Sequence, residues 1–209
     1  MSLIHVWLRW SMAPWMRPFT EWRVYRAWSR AGRPVPAPPI VKQRLVRQCL
    51  QAHRLDAVVE TGTFTGDMVD ALMEHARRIV SIELDPRLYT AARRRFNGHP
   101  RVRLLHGDSA NLLPSVIAGL NGRALFWLDG HYTVGVAGPE RASPILNELR
   151  ALLETPPQGH VIMVDDIRLF VGRDGYPTVD AIRGLIHDRR PHARVDVADD
   201  ILCWVDAIA

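Results

Sequence analysis

Glu60, Gly62 and Gly66 stand in the stretch Val58-Val59-Glu60-Thr61-Gly62-Thr63-Phe64-Thr65-Gly66, where an apolar run reaches a carboxylate and breaks into two glycines four apart. Glycine admits positive φ and lets a ligand approach the backbone where a Cβ would collide. About 20 residues on, Val80-Ser81-Ile82-Glu83 ends a second apolar run in an acid, the place from which a carboxylate accepts ribose hydroxyls in open α/β sheets. Together they point to a nucleoside-bearing cofactor. A dinucleotide fold asks for G-x-G-x-x-G, whose amides hold a pyrophosphate. Here Glu60 lies inside the turn and would repel a pyrophosphate. It suits instead a ligand carrying an ammonium and a sulfonium, the charge pattern of S-adenosylmethionine. Thr63 and Thr65 belong to the same candidate cofactor turn. The competing reading is a tight turn without a ligand.

Further polar residues follow later apolar runs. Gly107-Asp108-Ser109 offers an acceptor and a hydroxyl to an adenine, or a cap to the next helix. Phe126-Trp127-Leu128-Asp129 and Val161-Ile162-Met163-Val164-Asp165-Asp166 bring three carboxylates to one rim if their strands are neighbours. Adjacent aspartates repel and raise each other's pKa unless a cation compensates. Hard oxygens of this kind suit Mg²⁺ first, then Mn²⁺ or Ca²⁺. The plainer alternative has Asp165 capping a loop and Asp166 solvated. His131, two residues after Asp129, titrates near neutrality and is the candidate general base; a ligand role or simple packing beside the cofactor are its other readings. Residues 133–142 hold two glycines and no clear period, and read as a loop over the acceptor. Lys42 and Gln43 either reach the cofactor's carboxylate or form a solvated helix end.

The elements that must position these groups alternate. Apolar periodicity predicts helices over 40–53, 66–77, 86–97, 111–119, 143–153 and 179–189. Strands are expected over 57–60, 79–83, 102–106, 124–128, 160–164, 193–197 and 201–205. Strands alternating with helices imply a parallel sheet. The last two strands have only Ala198-Asp199-Asp200 between them, so an antiparallel pair closes one edge. The expected fold is α/β and Rossmann-like: a seven-stranded, mostly parallel sheet with helices on both faces and an antiparallel C-terminal strand pair.

The chain has 209 residues, enough for one such domain with a large core. Its net charge of +5 is uneven: residues 1–54 carry +9 and residues 55–209 carry −4. The expected division is a basic, Trp-rich arm with a proline linker over 1–39 and a catalytic domain over 40–209. Five tryptophans and six arginines fill the first 33 residues, and Pro14 and Pro18 should break them into short helices. Packing on the domain, pairing of two subunits as a homodimer, an anionic membrane surface and nucleic acid all stay open for this arm. Cys49 and Cys203 have no metal-ligand spacing and read as reduced, buried thiols. With no signal peptide and no membrane-spanning run apparent, the expected location is the cytoplasm, or peripherally at a membrane surface.

The order E-T-G-T-F-T-G, S-I-E-L-D, H-G-D-S, W-L-D-G-H-Y, I-M-V-D-D resembles class I S-adenosylmethionine-dependent methyltransferases over residues 40–209. Its nearest pattern is that of the metal-dependent small-molecule O-methyltransferases, the catechol type and the antibiotic-sugar type. The resemblance implies S-adenosylmethionine held by Glu60, Gly62, Thr63, Thr65, Gly66, Glu83, Asp108, Ser109 and Asp129. It also implies a divalent cation on Asp129, Asp165 and Asp166; Asp129 and, by its own chemistry and not by the resemblance, His131 are the candidate catalytic residues. The catechol type places a lysine where this chain has Tyr132, and the sugar type an acid where it has His131. The expected acceptor is a small hydroxylated metabolite or sugar, with nucleic acid an unlikely partner because residues 55–209 offer no broad cationic track. The alternatives are a cofactor-binding scaffold without catalysis and a nucleic-acid methyltransferase.

Overall fold

The computed structural model describes residues 17–130 and 143–206. In chain order the elements are α1 (Arg17–Arg30), α2 (Pro39–Ala52), β1 (Ala57–Thr61), α3 (Asp67–Leu72), β2 (Arg78–Glu83), α4 (Pro86–Arg95) and β3 (Val102–His106). There follow α5 (Ser109–Ala118), β4 (Leu125–Leu128), α6 (Ile145–Glu154), β5 (Val161–Val164), a 3₁₀ turn (Ile167–Leu169), α7 (Val179–Arg189), β6 (Val195–Ala198) and β7 (Ile201–Val205). The sheet order is β3-β2-β1-β4-β5-β7-β6. The first five strands run parallel, and β7 is antiparallel to both β5 and β6. This is the expected Rossmann-like, seven-stranded arrangement.

Both sheet faces are covered, which is why β1, β4 and β5 are buried without alternation. Val59, Phe126, Leu128, Ile162 and Trp204 pack against α5, α6 and α7. Val58, Leu125, Trp127, Val161 and Met163 face the other way, toward α2, α3 and α4. Strand order reverses between β1 and β4, so the crevice expected of open α/β sheets lies at their carboxyl ends.

One helix differs from expectation. Helix α3 ends at Leu72, and its last carbonyl takes the N–H groups of His75 and Ala76 in a turn that returns the chain to β2. In the arm, Pro18 stands at the beginning of α1. It falls in the first turn of a 14-residue helix, where its missing N–H has no partner to lose. Helix α1 lies on α2 by way of Trp28, which is buried with Ala37 and Val41 and donates from Nε1 to the Pro34 carbonyl at 2.8 Å. Glu21 reaches both Arg44 and Arg47 of α2. Cys49 and Cys203 are free and half-buried, not fully enclosed. Among the described residues no helix is long and apolar enough to cross a membrane.

Candidate functional site

A cleft of about 280 Å³ opens at the carboxyl ends of β1, β2, β3 and β4, lined among others by Gly62, Phe64, Glu83, Asp108, Ser109 and Asp129. Its floor depends on Gly62. The chain passes Gly62 at φ +87°, and a Cβ there would stand 2.5 Å from the Asp129 carbonyl oxygen. Gly66 is equally constrained, at φ +80° with the Phe96 ring in the way of any side chain. Gly62→Ala is therefore expected to cost about 1–3 kcal/mol in backbone strain and to push the β1 and β4 ends apart. A lowered melting temperature together with lost cofactor binding is the result to look for.

Glu60 is 3% exposed and accepts a hydrogen bond from the Ser81 hydroxyl, which in turn meets Thr63 Oγ1 at 2.6 Å. No arginine or lysine among the described residues bridges Glu60. Burial, then the nearby Asp129, Glu83 and Asp67, push its carboxyl up to about 8, against the opposing bond from Ser81. Glu83 ends β2 with both oxygens oriented: Oε2 accepts from the Phe64 N–H at 2.7 Å and Oε1 from the Asp85 N–H at 2.9 Å. Asp108 caps α5 by accepting from the Ala110 N–H at 2.9 Å, so its capping role holds while it also lines the cleft with Ser109. Thr63 turns its hydroxyl into Ser81, and Thr65 gives its carbonyl to Arg95; neither lines the cleft.

Beside the cleft, Asp129, Asp165 and Asp166 bring carboxylate oxygens within 4.8 Å of one another, the convergence that their strands promised. The Asp165 N–H continues the β4–β5 ladder by donating to the Leu128 carbonyl, and Asp166 then turns into the left-handed region at φ 56°. The group is already met by side-chain cations. Lys42 Nζ lies 2.6 Å from Asp165 Oδ2 and 2.6 Å from Asp166 Oδ1. Arg168 Nη1 lies 2.6 Å from that same Asp166 oxygen and also pairs with Asp200. The remaining Asp165 oxygen accepts the Asp166 N–H. The donor chemistry suits a hard divalent ion, but with an ammonium on two of its three carboxylates the arrangement does not fit one. Burial works against the Lys42 charge, and Asp165 and Asp166 outweigh it, holding the ammonium above the usual lysine range.

Lys42 thus goes to the aspartate pair and is not the solvated helix end that was one of its two readings. Gln43 bonds the Asp67 carbonyl at 3.2 Å. His131, Tyr132 and the loop 133–142 lie outside the described residues. Three contributors had no signal in the sequence. Ser81 orients Glu60. Glu148 on α6 is fully buried, and a Cβ on Gly130 would stand 3.2 Å from its Oε1. Tyr176 is a half-buried phenol whose pKa is raised by burial and then by Asp166 and Asp129.

This arrangement is the class I S-adenosylmethionine-dependent methyltransferase fold, and solved structures share it. An O-methyltransferase from Bacillus cereus in complex with SAH superposes with a TM-score of 0.53 at 18% identity, covering 89% of this chain and 90% of that one. An O-methyltransferase from Streptomyces achromogenes involved in tomaymycin synthesis, in complex with SAM, gives 0.53 at 17% identity over 88% of both chains. In sequence, residues 39–114 match the family model of the ribosomal RNA adenine dimethylases. A ribosomal RNA small subunit methyltransferase A from Dehalococcoides mccartyi is 31% identical over 85 residues, 39% of this chain and 29% of that protein. A dimethyladenosine transferase from Candida glabrata is 33% identical over 73 residues, 34% of this chain and 23% of that protein. The chain spans less than a third of the length of these curated relatives.

These matches correct the partner expectation, which put a small hydroxylated acceptor first and held nucleic acid unlikely. The sequence relatives are ribosomal RNA and dimethyladenosine enzymes by name. The acidic balance of residues 55–209 is a poor guide to the acceptor, because it counts the carboxylates of the cleft together with the rest of the surface. The homodimer and membrane-surface readings of the arm gain nothing from either comparison and are set aside.

Proposed function

We propose that the chain is an S-adenosylmethionine-dependent methyltransferase, with residues 40–209 as the catalytic domain and 1–39 as its basic arm. The observation that carries this reading is the buried Glu60, two residues before the Gly62 that lines the cleft, with no lysine or arginine among the described residues bridging it. A ligand bringing an ammonium and a sulfonium supplies the missing charge. When bound, such a cofactor supplies an electrophilic methyl group, and the electron pair of the broken bond stays on its sulfur. Glu60 and Asp129, with Gly62 beneath, hold the methionine portion; Glu83 takes the ribose hydroxyls; Asp108 and Ser109 meet the adenine. Thr63, Thr65 and Gly66 shape the turn that carries these contacts.

The residues after β4 favour an oxygen as the methyl acceptor. Asp129-Gly130-His131-Tyr132 stands there, with no Asn/Asp-Pro-Pro-Tyr stretch of the kind that serves amino-group methylation. His131 is assigned the acceptor's proton, and Asp129 the orientation of the attacking group. The names of the sequence relatives bring RNA forward as the acceptor class, and the +9 of residues 1–54 supplies charge for phosphates. Incubation with methyl-labelled cofactor and total RNA should place label in O-methylated nucleosides. Cofactor binding with no transfer to RNA would instead favour the scaffold reading.

Glu83→Ala tests the cofactor site. It removes a charged acceptor, about 1.5–3 kcal/mol, so affinity for S-adenosylhomocysteine should fall by about 10- to 100-fold. Calorimetry showing unchanged affinity would sink the ribose assignment.

A further inference from the structure

We infer that Lys42 is the resident cation of the Asp129–Asp165–Asp166 rim and takes the place a divalent ion would need. Three observations support this. Its Nζ makes two contacts of 2.6 Å, to carboxylates on successive residues after β5. Asp165 is 1% exposed and Lys42 13%, so water screens the contact little. The other Asp165 oxygen accepts the Asp166 N–H, and Arg168 adds a second cation to the Asp166 oxygen that Lys42 holds.

The lysine is delivered by rigid structure. It lies in the first turn of α2, where its N–H donates to the Pro38 carbonyl at 3.1 Å, and buried Val41, Val46 and Leu50 fix that helix on the sheet. An ammonium and a dication cannot share the same two carboxylates at contact distance. Mg²⁺ requires near-octahedral oxygen coordination at about 2.0–2.1 Å, so it would have to expel Lys42 from its seat. Lys42 fixes the directions of Asp165 and Asp166 without any exchangeable ion. Lys42 is by this account a positioning residue for the rim.

The test uses the full chain after EDTA treatment, with Mn²⁺ alone as the probe. Electron paramagnetic resonance or calorimetry should find no tight Mn²⁺ site in the wild type. Lys42→Ala should open one, at least about tenfold tighter, and the further change Asp165→Asn should abolish it. Melting curves give a second readout: Lys42→Ala lowers the midpoint by removing the cation that Asp165 shares with Asp166, and Mn²⁺ restores it while leaving the wild type unmoved. Lys42→Met keeps the stem's packing and serves if the alanine variant does not fold. A wild-type Mn²⁺ site lost in Asp165→Asn overturns the inference, and so does a Lys42 variant as blank to Mn²⁺ as the wild type. Neither result depends on methyl transfer, so the inference and the proposed activity fail separately.

Discussion

Affinity for S-adenosylmethionine should rise steeply between pH 6 and pH 8, and Glu60→Gln should abolish that rise. The cause is the buried carboxyl of Glu60, whose pKa stands at about 8 in the unliganded protein. Below that value the group is protonated and offers no charge to an ammonium or sulfonium. Binding a cation favours the ionised form, so each ligand bound below pH 8 displaces a proton. The limiting slope is about tenfold in affinity per pH unit. The ligand's own amino group loses its charge near pH 8, which places the optimum close to there. Calorimetry in two buffers of different ionisation enthalpy would count the proton released. A wild-type profile as flat as that of Glu60→Gln would remove Glu60 from the cofactor's charge recognition.

The same group sets a stability trend of opposite sign. A glutamate in the unfolded chain titrates near 4.3, whereas in the folded protein it holds its proton to about 8. Between those values the folded state binds the extra proton, so stability falls as pH rises and is level on either side. The gap of about 3.7 pH units, at about 1.4 kcal/mol each, sets an upper bound of ~5 kcal/mol. Cofactor should recover part of it at pH 8, and Glu60→Gln should flatten the wild-type curve.

The sheet was legible because its residues obey one rule at a time. Strands covered on both faces are continuous apolar runs, and each of the five parallel strands ends where a polar residue or glycine begins. The acids after β4 and β5 were legible for the same reason, since parallel neighbours deliver their ends to one rim. What covers those acids was not. Lys42 is separated from Asp165 by 123 positions, and nothing in the residues around it says which way a long side chain bends. Arg168 was hidden likewise, because its second partner, Asp200, belongs to the hairpin between β6 and β7.

Trp28→Ala should destabilise the protein by about 3–5 kcal/mol, the cost of emptying a buried tryptophan site. Trp22→Ala, six residues earlier on the same helix, should change stability by no more than about 0.5 kcal/mol. The difference comes from the face each occupies. Trp28 is 4% exposed, packs on Ala37 and Val41, and closes the linker through its bond to Pro34, whereas Trp22 is 48% exposed with Arg26 over its ring. Urea denaturation of the two variants would measure both losses. Equal effects would mean that α1 is not docked on α2. Val41, which Trp28 covers, neighbours Lys42, so a loosened α1 should also free the start of α2. The Trp28 variant, unlike the Trp22 variant, is therefore expected to admit Mn²⁺ at the aspartate rim. A basic segment that composition alone would assign to a partner then also serves to hold a lysine in the site.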